Sequence, residues 1–248
     1  MLARSLQTLL AGLIDYAGFF PPAALSMDEA LANYRRYRDG EHAWMLGRFV
    51  VPAARAAEVP EDFPVSVIGV DEIKAETEED VHRIGNDADG RTVYVEITDI
   101  DLIEHISVHN LRAKIRTGGL TTDAFPSSND IAQFMRKCAQ WGVAFKATAG
   151  LHHPVRCVRP LTYAADAPRG TMHGFVNVFM AAALLPRAEA ILEDDDASGF
   201  TFDDDTASWR GHAVLTSDLQ KLREDFAISF GSCSFEEPVH DLKELGWL

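Results

Sequence analysis

The chain has 248 residues, 47% of them hydrophobic and 25% charged, the balance of a globular protein long enough to bury a full core. Its formal net charge of −15 argues against a surface built to grip a nucleic-acid backbone or an anionic membrane. Cys138, Cys157 and Cys233 stand far apart with no CxxC pair, so neither a disulfide framework nor a zinc knuckle is expected, and a reducing cytoplasm is the expected compartment.

The opening stretch spaces Leu6, Leu9, Leu10, Leu13 and Ile14 as an amphipathic helix does, and it reads as that rather than as a signal peptide. No apolar stretch reaches the roughly 18 residues of a membrane span. Eight short apolar runs then punctuate the chain, at 13–17, 45–51, 64–70, 92–97, 112–117, 143–148, 174–180 and 226–231. Helical stretches lie between them. Met27–Arg38 opens at Ser26, with Glu29 three residues on as a capping box. Residues 100–109 follow the fourth run. Residues 129–141 put Ile131, Phe134, Met135 and Cys138 on one face behind a Ser128 cap, and 216–226 precede the last run. The acidic segment 192–210 carries Phe200, Phe202 and Trp209, and Asp203–Thr206 reads as the turn of a hairpin that lays those aromatics on the outside. A calcium loop is the weaker reading there, because the carboxylates lack ordered ligand spacing. The tail, 238–248, reads as a terminal helix packing Leu242, Leu245 and Trp247.

Strands alternating with helices pair in parallel through right-handed crossovers, and eight strands close a barrel. The predicted fold is therefore α/β, a single (β/α)8 TIM-type barrel over residues 1–248 with an extra C-terminal helix. An open doubly wound sheet is disfavoured, since no run leads into a Gly-rich phosphate loop.

In such a barrel the chemistry sits at the C-terminal strand ends, and side chains alternate between the interior and the helix layer. In run 112–117, Ala113, Ile115 and Thr117 share the face that meets the helices, which turns Lys114 and Arg116 inward. The same parity places Lys146 and Thr148, Tyr94 and Glu96, Asn177, Arg48 and Asp15 inside. Four cations, Arg48, Lys114, Arg116 and Lys146, then face two carboxylates, Asp15 and Glu96. Buried charge is costly unless paired, so this excess implies a small anionic substrate, a phosphate or a carboxylate. A closed network without ligand, Glu96 on Lys114 and Asp15 on Arg48, is the alternative.

Three loops extend the candidate site. His152 and His153 follow the sixth run and can serve as substrate contacts, acid–base groups or, with Glu96, Cys233 and Asp15, metal ligands. No HxH or HExxH pattern supports a metal. Gly231, Ser232 and Ser234 can offer backbone N–H groups to an anion, while Cys233, with no histidine near it in sequence, reads as a buried inert thiol. Gly118 and Gly119 permit close approach to a ligand, and Phe19, Phe20, Pro21 and Pro22 read as an apolar rim.

Lys146-Ala147-Thr148-Ala149-Gly150, at the end of the sixth run, resembles the class I aldolase barrels, whose Schiff-base lysine stands in a K-T-S-T-G pattern in deoxyribose-phosphate aldolase. The lysine, a hydroxyl at the third position and the glycine are shared; Ala147 and Ala149 depart from the pattern. The resemblance implies a lyase with Lys146 as nucleophile. Neighbouring cations would lower its pKa, and Glu96 or Asp15 would move protons. The full expectation is a cytoplasmic enzyme for a small anionic carbonyl compound, with no cofactor, no bound metal, no nucleic-acid or membrane partner, and room for a homo-oligomer. Two other readings stay open: a metal-dependent hydrolase or isomerase using His152 and His153, and a ligand-binding barrel without chemistry.

Overall fold

Closing a sheet on itself removes its edges. In the computed structural model, which describes residues 2–248, eight parallel strands close into a barrel. The first seven are β1 (Ile14–Tyr16), β2 (Leu46–Pro52), β3 (Val65–Ile68), β4 (Glu72–Lys74), β5 (Tyr94–Glu96), β6 (Arg112–Arg116) and β7 (Phe145–Thr148). Two excursions follow. β8 (Cys157–Pro160) and β9 (Arg169–Met172) form an antiparallel hairpin, and β10 (Phe200–Phe202), β11 (Thr206–Trp209) and β12 (His212–Leu215) form a three-stranded sheet. The last barrel strand, β13 (Ala227–Ser232), pairs with β7 on one side and β1 on the other.

Nine α-helices complete the described residues: α1 (Arg4–Leu10), α2 (Met27–Arg38), α3 (Glu78–Asp87), α4 (Leu102–Val108), α5 (Ser128–Trp141), α6 (Phe175–Ala183), α7 (Ala188–Glu193), α8 (Thr216–Asp225) and α9 (Glu236–Glu244). The Ser26–Glu29 capping box opens α2 as its sequence requires. The cap of α5 is Ser127, one residue earlier than expected, because Asp130 closes the box with it. None of these helices is long and apolar enough to cross a membrane.

One of the eight expected strands is wrong, and one barrel strand was not expected. Run 174–180 is helix, not strand: Phe175 through Ala182 are all buried in α6. A short, mostly apolar run cannot by itself distinguish a buried strand from a helix buried all round. The strand that takes its place in the count is β4, whose sequence Glu-Ile-Lys holds a single apolar residue. It follows β3 after only Gly69, Val70 and Asp71, with no helix between. A parallel crossover normally needs a dozen residues or more. Here the only pairing is Ile68 at the end of β3 with Glu72 at the start of β4, so the chain sidesteps one lane and never returns to the barrel bottom. Gly69, at φ 94°, supplies the turn.

The core lies between barrel and helices, with Phe134 edge-on to Phe145 at 5.5 Å and Phe175 stacked on Phe230 at 5.2 Å. Arg223 of α8 closes the bottom. Its guanidinium donates to the carbonyls of Leu9 (2.9 Å), Ala11 (3.1 Å), Ala227 and Ile228. The acidic segment folds as its aromatics predict. Asp203 accepts from the backbone N–H of Asp205 and Thr206 at the hairpin turn, and Phe202 and Phe200 pack on Trp247 at 5.2 and 6.4 Å.

Candidate active site

Parallel pairing sets Glu96 beside Lys114, and Lys114 beside Lys146. Two lysines side by side repel unless something bridges them. Glu72, from the unanticipated β4, is that bridge: its Oε1 lies 2.6 Å from Lys146 Nζ and its Oε2 lies 2.7 Å from Lys114 Nζ. The ladder extends both ways. Lys146 also donates to Asp15 Oδ2 at 2.7 Å, Lys114 to Glu96 Oε2 at 2.9 Å, and Arg116 Nε to Glu96 Oε1 at 3.1 Å. Ser66 donates to Glu72 Oε1 and Ser229 to Asp15 Oδ2. Below Lys146 the Tyr94 ring lies 5.4 Å from the ammonium.

The expected excess of cations is therefore overturned: with Glu72 in and Arg48 out, three cations meet three carboxylates. Arg48 sits on the exposed side of β2, where its Nη1 donates to Val65 O at 2.9 Å and only its backbone N–H reaches Asp15. Parity fails there because the β1–β2 register shifts, Ile14 facing Leu46 while Tyr16 faces Phe49.

The charges hold one another. Burial opposes the ionised Glu72, but Lys146 and Lys114 outweigh it and bring its pKa down to about 2. Burial likewise opposes the charged Lys146, and Asp15 with Glu72 overcome it, so this lysine sits above the ordinary range. The expectation of a lowered Lys146 pKa is thereby reversed. Glu96 is lowered by the same contest of burial against Lys114 and Arg116.

Above the ladder opens a cavity of about 410 Å³, lined by Glu72, Glu96, Lys114, Arg116, Lys146 and Thr148. Phe20, Pro21 and Pro22 form its apolar rim, and His152, Gly231 and Cys233 line it as well. Donors are left over on the cations of the ladder. Every oxygen of Asp15, Glu72 and Glu96 already accepts a bond. Each lysine ammonium carries three donors and spends two within the ladder. Arg116 spends only Nε, and its side chain is 53% exposed at the mouth.

The remaining expected contacts separate. Asn177 rides on α6, away from the barrel interior; its amide donates to Ile191 O and Asp194 O, and its oxygen accepts from Arg156 N. His153 faces Asp241 at 2.5 Å, outside the main cavity. Ser232 is buried and accepts from Ser234 N, while the Ser234 hydroxyl accepts from Glu237 N at the start of α9, so neither lines the cavity and only Gly231 of that trio does. Gly118 serves packing rather than a ligand: a Cβ there would stand 2.8 Å from the Gly150 Cα. The metal set does not assemble, because Asp15 and Glu96 are committed to lysines while His152 and His153 pair with Glu237 and Asp241.

Of the expected metal set only His152 and Cys233 approach each other, and Glu237, which the sequence did not point to, joins them. His152 Nε2 lies 4.0 Å from Cys233 Sγ, and its Nδ1 lies 2.9 Å from Glu237 Oε2. Only the β7–β13 pairing, Thr148 opposite Gly231, brings the two loops together.

Fold and site together define a parallel α/β barrel with a charged mouth at its C-terminal end, a build compatible with an enzyme. No known protein family matches the chain. No curated protein matches it either.

Proposed function

We propose that the barrel is a lyase-type enzyme for a small anionic carbonyl compound, whose carbonyl oxygen is held by the spare donors of Lys146 and Lys114. The observation that carries this is the set of unspent cationic donors that the ladder keeps beside the cavity. Its carboxylate oxygens are all engaged, while two ammonium groups and the terminal nitrogens of Arg116 keep free donors beside the cavity. Such a surface receives oxygens that carry or develop negative charge. Arg116 at the mouth binds the substrate's carboxylate or phosphate. The lysines stabilise the enolate that forms when a bond next to the carbonyl breaks, and Glu96 moves the proton. Thr148 lines the same space as a neutral contact.

The electrophilic role is preferred over nucleophilic attack on energetic grounds. A lysine above its ordinary pKa needs at least about 4 kcal/mol to lose its proton at pH 7.5. A second reading, a Schiff base at Lys146, has one observation in its favour: Asp15 and Glu72 stand 2.7 and 2.6 Å from Nζ and can take that proton. A panel of small 2-oxo acids and phosphorylated aldehydes, incubated in D₂O and followed by proton NMR, tests the proposal. Exchange or cleavage next to the carbonyl, lost in Lys146→Met, is expected. A panel untouched by the wild-type protein would sink it. Borohydride added to the reacting mixture then separates the readings, since only the Schiff base leaves a reduced adduct on the peptide that carries Lys146.

A further inference from the structure

The wall of the mouth holds a second set of reactive groups that the lysine ladder does not use. β7 and β13 are neighbours in register, with Thr148 opposite Gly231. Four residues past Thr148 and two past Gly231 the chain places His152 and Cys233, so the two loops face each other across one strand spacing. α9 starts immediately afterwards and sets Glu237 in its first turn. The result is a chain of contacts. Cys233 Sγ lies 4.0 Å from His152 Nε2, and His152 Nδ1 lies 2.9 Å from Glu237 Oε2, which also accepts from the Tyr163 hydroxyl at 2.9 Å. Tyr163 itself stands 3.9 Å from the sulfur. Cys233 and His152 both line the cavity. No hydrogen bond or ion pair among the described residues joins this cluster to the ladder.

We propose that Cys233, His152 and Glu237 form a nucleophilic acyl-transfer site that takes a small ester or thioester entering the same mouth. A thiol beside an imidazole, which a carboxylate in turn orients, is the arrangement that makes a cysteine attack acyl carbons, and its contacts are commonly loose before substrate arrives. The proton of the Cys233 thiol moves to His152 Nε2 as the sulfur forms a C–S bond to the acyl carbon. The C–O or C–S bond to the leaving group breaks, and the leaving group takes that proton. Water, giving a proton to the same nitrogen, then attacks the thioester; the acid departs and the sulfur regains its proton. Glu237 fixes the ring by accepting from Nδ1 throughout. Burial works against a protonated His152, but its bonds to Cys233 and Glu237 outweigh this and lift its pKa to about 9, so the neutral ring that takes the thiol proton predominates only above that pH.

The other two thiols supply the contrast. Cys138 is fully buried, and burial alone pushes its thiol up. Cys157 is only half-buried, yet burial lifts it to about 11. Cys233 is 6% exposed, less than Cys157, so exposure ranks it as the slower of the two to react.

The full chain incubated with p-nitrophenyl acetate and mapped by peptide mass spectrometry tests the proposal. The acetyl group is expected on the peptide carrying Cys233, with a burst of p-nitrophenolate equal to the protein concentration. His152→Ala should slow that acetylation at least tenfold, and Glu237→Gln should slow it less. Iodoacetamide on the unmodified protein gives a second readout that needs no variant to fold: Cys233 is expected to react faster than Cys157, against the order of their exposure. Acetyl found only on Cys157 or on lysines, a Cys233 slower than Cys157, or acetylation unchanged in a folded His152→Ala would overturn it. Neither readout involves a carbonyl acid, so its failure is distinct from failure of the proton-exchange test.

Discussion

Glu72→Gln is the most informative single substitution, because Glu72 is the carboxylate that Lys114 and Lys146 share. The two lysines are cross-strand neighbours, and without the bridge each keeps a single carboxylate partner, Glu96 or Asp15. The pKa of Glu72 falls from the ordinary 4.5 to about 2 in the folded chain. That depression corresponds to about 3 kcal/mol of stability, within the range for breaking a buried ion pair. The sign follows from the direction. A depressed carboxylate contributes fully above the unfolded value near 4.5 and loses its contribution as pH falls through about 2. At pH 7, Glu72→Gln should lower the thermal midpoint by roughly 6–12 °C for a chain of this size. At pH 3 the gap should narrow to about half. Thermal and urea unfolding at both pH values read this out. A variant as stable as the wild type at pH 7, or a gap that does not change with pH, would refute the bridging role.

Three further outcomes follow from particular contacts. Arg116→Gln removes the half-exposed guanidinium at the mouth, and a charge-assisted contact of about 1.5–3 kcal/mol predicts a KM raised roughly 10- to 100-fold with a smaller change in kcat; an unchanged KM would place the anion elsewhere. Arg223→Met leaves the carbonyls of Leu9, Ala11, Ala227 and Ile228 without their donor, and at least about 3 kcal/mol of stability should be lost in urea unfolding; an unmoved midpoint would contradict its role as the barrel's bottom plug. His152 should titrate near 9 by NMR and drop in Glu237→Gln. Its folded pKa is raised, so its contribution to stability is complete below about 6.5 and fades as pH rises through 9; a titration near 6.5 would exclude the pairing.

The strand parity that turns Glu96, Lys114, Arg116 and Lys146 toward the cavity was legible in the sequence, because apolar and charged residues alternate cleanly in β5, β6 and β7. The same rule misplaced Arg48, where a register shift between β1 and β2 breaks alternation in a way no single strand records. Asn177 went astray because a helix buried all round carries no period to betray it. Glu72 was invisible for the opposite reason: a three-residue strand with one apolar side chain leaves no pattern. That omission reversed the electrostatics, since without Glu72 the interior counts as cationic, and Lys146 as a lysine pushed down rather than held up. Cys233 and His152 stand 81 positions apart in the chain, and only the closing of β13 against β7 makes them partners.

Whether the spare donors of Lys146 and Lys114 hold a substrate oxygen is read from a crystal structure with oxalate, a dianion resembling the enolate of a 2-oxo acid. One carboxylate oxygen is expected within hydrogen-bond distance of both Nζ atoms, the other carboxylate on Arg116, and Glu72 still bridging the two lysines. Oxalate bound away from the ladder, or excluded from the cavity at saturating concentration, would contradict it.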